Sequence, residues 1–232
     1  MPEIIITGSE GRLEARYHQS PHKNAPAALI LHPHPKHGGT MNNKVVYNLF
    51  HMFVKNGFSV LRFNFRGVGR SQGQFDNGIG ELTDAAAALD WLQMQNQDAS
   101  TFWIGGFSFG SWISMQLLMR RPELDSFLVV APPTNLYDFS FLSPCPASGL
   151  IVQGDQDSIV PEESVAQFSK KLGAQKSINV DYKVVRGADH FFRDKLDEMN
   201  TACDDYINEN IDKFIRRPRV KPDRRRRQLP HG

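Results

Sequence analysis

Short runs of β-branched and aromatic residues alternate with stretches of helical period along nearly the whole chain, and this alternation narrows the possible folds more than any other feature. "AALIL" (27–31) is followed by a stripe of Val46, Leu49, Phe50 and Phe53 that Gly57 ends, and then by "FSVLRFNF" (58–65). A second stripe, Ile79, Leu82, Ala86, Leu89 and Leu92, precedes "TFWIGGF" (101–107), an apolar helix to about Met119, and "SFLVVA" (126–131). "GLIV" (149–152), a helix opening at Pro161, "VDYKVV" (180–185) and a last stripe of Leu196, Met199, Cys203, Ile207, Ile211 and Phe214 complete the series. Strand, helix, strand repeated in this way predicts an α/β chain with a mostly parallel sheet covered on both faces. "EIIIT" and "RLEARYHQ", before residue 20, have no helix between them and should pair as an antiparallel edge.

A chain of 232 residues, 40% of them hydrophobic, can bury one sizeable core. One folded domain over residues 1–217 is expected, followed by a basic, disordered tail over 218–232. The net charge of +2 hides that division. "RRPRVKPDRRRR" (216–227) holds eight Arg or Lys against one Asp, a local +7 that leaves the rest of the chain near −5. The tail could meet nucleic acid or an anionic surface, though solvation alone accounts for it. No signal peptide is evident and no apolar stretch reaches the 18 or so residues of a membrane span. Cys145 and Cys203 form no CxxC pair, so a reducing, cytoplasmic setting is expected, with Cys203 in the core.

The chemistry concentrates at "GGFSFGS" (105–111), whose Gly106-Phe107-Ser108-Phe109-Gly110 fits G-x-S-x-G between an apolar strand and an apolar helix. A sharp strand-to-helix turn there would project Ser108 from the tip of the sheet. A serine hydroxyl needs a base, and the base a carboxylate to orient it. For a serine so placed the partners follow in the order Ser, acid, His. Beyond residue 150 only His190 and His231 remain, and His231 is in the tail, so His190 in "RGADHFF" is the candidate base. "GDQDSIVP" (154–161) supplies Asp155 and Asp157, and spacing does not choose between them.

His32, His34 and His37 in "LHPHPKHGGTMNN" (31–43) invite a metal-site reading, but Lys36 is unwelcome beside a dication and Pro33 and Pro35 hold the backbone extended. Backbone geometry offers another use. Acyl transfer needs N–H donors at the developing oxyanion, one after the nucleophile and one after an earlier strand. Proline has no N–H, so between the two prolines only His34 can donate. The backbone N–H groups of His34 and Phe109 are the expected oxyanion hole, with no metal and no cofactor. "RGVGRSQG" (66–73) lacks the third glycine of a dinucleotide loop and reads as a turn at the base of the site.

Over nearly all of residues 1–215 the chain resembles the α/β-hydrolase superfamily, and most closely its small, dienelactone-hydrolase-like bacterial members, through "HPHPKHGGTMNN", "FNFRGVGRSQG", "GFSFGS", "GDQDSIVP" and "GADHFF". The resemblance implies a sheet of about eight strands and places the triad acid at the D of G-x-x-D-x-x-V-P, here Asp157, with Asp155 second. It also implies an oxyanion role for the "HPHP" segment. Two departures stand out: dienelactone hydrolases use cysteine where this chain has Ser108, so their lactone substrate does not carry over, and many relatives have Asp where this chain has Asn64. The segment 133–148 is too short for a large lid, and Phe107, Phe109, Phe191 and Phe192 hint at an apolar acyl pocket. The expected activity is a carboxylesterase-like serine hydrolysis through an acyl-enzyme. Its rate should fall on acidification, because a protonated His190 cannot act as base. A serine peptidase or thioesterase, a metal-dependent hydrolase and a non-catalytic binding module of the same fold are the alternatives.

Overall fold

The computed structural model describes residues 3–215, with side chains described to Lys213. The basic tail, and Phe214 of the last stripe, lie outside the residues so described. Eight strands form one sheet: β1 (Glu3–Gly8), β2 (Gly11–His18), β3 (Ala27–Leu31), β4 (Ser59–Phe63), β5 (Phe102–Phe107), β6 (Leu124–Val130), β7 (Ser148–Gly154) and β8 (Val180–Val185). Their order is β1-β2-β4-β3-β5-β6-β7-β8. The β1–β2 and β2–β4 pairs are antiparallel and the others parallel. The expected antiparallel edge is therefore present.

Among the described residues four α-helices connect strands, α1 (Lys44–Lys55), α2 (Ile79–Gln95), α3 (Phe109–Leu118) and α4 (Glu162–Gly173), and a fifth, α5 (Leu196–Ile215), follows β8. None of the described helices is long and apolar enough to cross a membrane. Strand alternation sends side chains to two cores. Phe102 and Ile104 of β5 join Ala85, Leu89, Ile113 and Phe168 from α2, α3 and α4, whereas Trp103 and Phe107 join Phe50, Phe53, Met199 and Cys203 from α1 and α5. Cys203 is buried and unpaired.

One helix face differs from expectation. Ile79, first in the expected stripe of α2, is 73% exposed. Leu89 and Leu92 of that stripe are buried and Leu82 and Ala86 pack half-buried against the same core, while the buried face widens to take in Glu81, Asp84, Ala85 and Ala88. Two carboxylates take core-facing positions because each is fully hydrogen-bonded there. Glu81 accepts from the backbone N–H groups of Asp76 (3.0 Å) and Gly78 (2.7 Å), which caps the helix. Asp84 accepts three bonds from Arg66, at Nε (3.0 Å), Nη2 (2.7 Å) and the backbone N–H (3.0 Å).

The strand order also fixes where a crevice forms. From β3 the chain crosses by α1 to β4 on one side, and from β5 it crosses by α3 to β6 on the other. The connections leaving the carboxyl ends of β3 and β5 thus diverge, and open α/β sheets bind ligands at such a reversal.

Candidate active site

Ser108 stands at that reversal, between the last residue of β5 and the first of α3, with φ 53° and ψ −121°. This region of positive φ is strained for any residue with a side chain, and it turns the serine out of both elements. The turn is held from behind: the Ser108 N–H donates to the Val130 carbonyl (2.9 Å), and the Ser111 N–H donates to the Ser108 carbonyl (2.8 Å). Gly106 permits it, because a Cβ there would lie 2.5 Å from the Gly110 backbone and 2.6 Å from Ser114 Oγ.

His190 follows β8 in a loop tied by Asp189, whose carboxylate accepts the N–H groups of Phe191 (3.1 Å) and Arg193 (2.9 Å). His190 Nε2 is 3.1 Å from Ser108 Oγ, and His190 Nδ1 is 2.7 Å from Asp157 Oδ2. An ionised carboxylate only accepts hydrogen bonds, so Nδ1 carries the proton and Nε2 faces the serine with its lone pair. Asp157 sits in the turn after β7. Its Oδ1 accepts from the N–H groups of Ile159 (2.9 Å) and Val160 (2.8 Å), and Gln153 Nε2 donates to Oδ2 (3.1 Å). Burial raises the pKa of this carboxyl, but the bonds from His190, Val160 and Ile159 outweigh it and hold Asp157 below the usual carboxylate range. Asp155 points elsewhere: its Oδ1 accepts the Gly187 N–H (2.6 Å), bracing the turn that leads to His190.

The three histidines after β3 are put to separate uses. His32 is fully buried, donates from Nδ1 to the Pro33 carbonyl (2.7 Å) and accepts the Phe65 N–H at Nε2 (3.0 Å). Burial, the largest influence, pushes its pKa down to about 3. It is a neutral staple between the β3 loop and the end of β4. The His34 ring accepts the Lys36 N–H (3.1 Å) and packs against His37, Phe75 and Phe109 at 4.5, 4.9 and 5.0 Å. Among the described residues no three metal-binding side chains converge. His34 has φ −54° and ψ 121°, the extended form its following proline imposes. It shares one cleft with Ser108, Phe109 and His190, and among the described residues neither its backbone N–H nor that of Phe109 has an acceptor. Phe75, at the end of the 66–76 turn, packs beneath both rings.

The cleft, about 410 Å³, is walled by Pro33, Phe109, Pro133, Leu136, Tyr137, Ile159 and Phe191. Of the four phenylalanines suggested by sequence, Phe107 and Phe192 belong to the core and only Phe109 and Phe191 line the cleft. Pro133, Leu136, Tyr137 and Ile159 went unseen because they lie in loops without hydrophobic period. The segment between β6 and β7 contains neither helix nor strand, so it forms no lid domain.

A protein of unknown function from Agrobacterium tumefaciens (ATU1826), described as a candidate α/β-hydrolase, has a solved structure 54% identical in sequence. It superposes with a TM-score of 0.89 over 94% of this chain and all of that one. The family model for X-Pro dipeptidyl-peptidase (S15 family) matches residues 12–210. The chain belongs to that family of α/β-hydrolases. This α/β-hydrolase is also similar to XC6422 from Xanthomonas campestris, described as a serine hydrolase without a lid. The identity is 30%, the TM-score 0.80, and the match covers 90% of this chain and 94% of that one. Among curated proteins it is 57% identical over 211 residues to uncharacterized protein RP471 of Rickettsia prowazekii, 89% of each chain.

Proposed function

We propose that this α/β-hydrolase is a serine esterase, cleaving carboxylic esters through an acyl-enzyme formed on Ser108. The observation that carries the reading is the unbroken line from Ser108 Oγ to His190 Nε2 (3.1 Å) and from His190 Nδ1 to Asp157 Oδ2 (2.7 Å). His190 takes the serine proton as Oγ attacks the carbonyl carbon, and Asp157 holds the imidazole in the tautomer this needs. The oxyanion forms within reach of the backbone N–H groups of His34 and Phe109. His190 then returns the proton to the departing alkoxide. In the second half, water gives a proton to His190 as its oxygen attacks the acyl carbon, and His190 passes that proton to Ser108 Oγ as the bond from Oγ to the acyl carbon breaks and the acid departs. No cofactor enters this sequence.

The lining of the cleft favours ester hydrolysis over the dipeptidyl-peptidase activity that the family description names. An enzyme of that kind holds a substrate α-ammonium, and among the described residues no Asp or Glu lines the cleft. The dienelactone-like motifs support the class of reaction, and Ser108 in place of cysteine separates this chain from their lactone chemistry. Cys145 and Cys203, both free and buried, suit the reducing cytoplasm expected from the sequence.

A fluorophosphonate probe, which phosphonylates an activated serine, tests the assignment. Labelling of the wild type, with labelling and ester turnover both lost in Ser108→Ala, is the expected result. Equal labelling of the two proteins removes Ser108 as nucleophile, and no labelling of either supports a non-catalytic module. Thioester and peptide substrates in the same assay should turn over more slowly than the matching esters.

A further inference from the structure

Three large apolar side chains are exposed around one opening: Leu136 (61%), Ile159 (44%) and Phe191 (38%). All three line the cleft at Ser108, as does Tyr137. Isolated exposed apolar residues need no explanation, but a cluster at the mouth of a cleft marks a place where an apolar ligand is held.

This wall is rigid. Tyr137 stacks on Trp112 with centroids 4.4 Å apart, and Trp112 Nε1 donates to the Asp138 carbonyl (3.1 Å). Asn135 Nδ2 donates to the Ile159 carbonyl (3.0 Å), joining the loop after β6 to the loop after β7. Thr134 and Ser164 hydroxyls, 3.0 Å apart, pin the same loop to α4. The apolar surface is thus preformed and needs no closing segment.

A second cavity adjoins the cleft at Phe191. Asn43 and Phe191 line both, and the remaining lining of this cavity of about 670 Å³ is Lys44, Arg193, Asp194, Leu196 and Asp197. Four of those five side chains are charged. His190 must protonate the leaving oxygen, so the alcohol portion of a substrate lies on the imidazole side, next to Phe191 and this cavity. The acyl portion is left to the Leu136 wall.

Resting on the serine-esterase reading above, we infer that the substrate joins an apolar acyl chain of several carbons to a polar alcohol. The chain lies along Leu136, Tyr137 and Ile159, and the alcohol leaves across Phe191 into the charged cavity.

Two substrate series test this, each read as a ratio of kcat/KM. With one p-nitrophenyl leaving group, the acyl chain is lengthened from acetyl to octanoyl. Each methylene that reaches the wall should raise kcat/KM about two- to fourfold before a plateau. In Leu136→Asn and Ile159→Asn the octanoyl-to-acetyl ratio should drop at least fivefold, while Met94→Asn, which replaces an apolar residue exposed on α2, keeps the wild-type ratio. In the second series glyceryl monooctanoate is compared with propyl octanoate, which lacks only its two hydroxyls. The glyceryl ester should be preferred at least tenfold, and the preference should shrink in Lys44→Met/Arg193→Met. A flat acyl series, or preference for the propyl ester, in a protein whose Ser108 still takes up the fluorophosphonate overturns this inference and leaves the esterase reading standing. Absence of both labelling and turnover overturns the two together.

Discussion

At the scale of single residues the site rests on backbone and side chains held away from their ordinary states. Ser108 keeps φ at 53°, a conformation that costs on the order of 1–3 kcal/mol in a residue with a Cβ. Glycine adopts it freely, so Ser108→Gly should be more stable than Ser108→Ala by about 1 kcal/mol in urea unfolding, although neither should turn over esters. Equal stabilities would show that the turn is relaxed. Asp157→Asn should keep the fold and lower kcat by on the order of 10⁴, as the loss of the orienting carboxylate does in serine-protease triads. His32 contributes differently, through the proton it refuses. Its pKa is about 3 when folded and 6.5 in an ordinary setting. Below pH 6.5 the unfolded chain binds a proton there and the folded chain does not, so stability present above pH 6.5 is lost as pH falls toward 3. The loss is about 1.4 kcal/mol per pH unit for one site. Between pH 6.5 and 5, above the range where carboxylates titrate, His32→Gln should show a shallower fall in unfolding free energy by that amount. An unchanged slope would mean that His32 is not buried neutral.

At the scale of elements, the central strands were legible as short continuous apolar runs, because they are buried on both faces, α1 and α5 by their 3.6-residue stripes, α3 by its apolar length and α4 by the proline that opens it. Helix α2 was legible in extent and in four of its five stripe residues, but not in the exposure of Ile79 or in its two buried carboxylates. Its buried face includes Glu81 and Asp84, and the partners that make this tolerable, the 76–78 turn and Arg66, are not visible to any periodicity. Much the same divides the site. Ser108 and His190 could be found because few residues of the required type stand in the required chain order. Asp157 could not be separated from Asp155 by spacing, since both follow β7 and only the fold turns one to the imidazole and the other to Gly187. The cleft wall was hidden because Leu136 and Ile159 come together through Asn135, a contact between loops. The Arg66–Asp84 pair gives the element-scale prediction. Asp84 is fully buried and the Arg66 side chain nearly so. Removing one partner strands the other charge in the core, so Asp84→Ala should destabilise the protein by about 3–5 kcal/mol. A loss under 1 kcal/mol would show that solvent reaches the guanidinium.

For the whole molecule, the site is assembled from both sides of the sheet and from strands far apart in sequence. Phe107 and Phe109 flank Ser108 and enter different cores, the first with α1 and α5, the second with α2, α3 and α4. Asp157 and His190 come from the ends of β7 and β8, whose register runs unbroken from Gly149–Val180 to Gly154–Val185. Ser108 comes from β5, one strand beyond β6, and its N–H is bonded to the last residue of β6. Loosening either helical layer therefore moves at least one member of the Ser108–His190–Asp157 line. If so, no state should exist in which the sheet survives intact and the serine is inert. Fluorophosphonate labelling, far-UV circular dichroism and the emission of the tryptophans, among them Trp103 in the α1–α5 core, should then share one urea midpoint. Labelling lost at clearly lower urea would place the loops after β7 and β8 in a separately unfolding unit and detach the site from the cores that carry it.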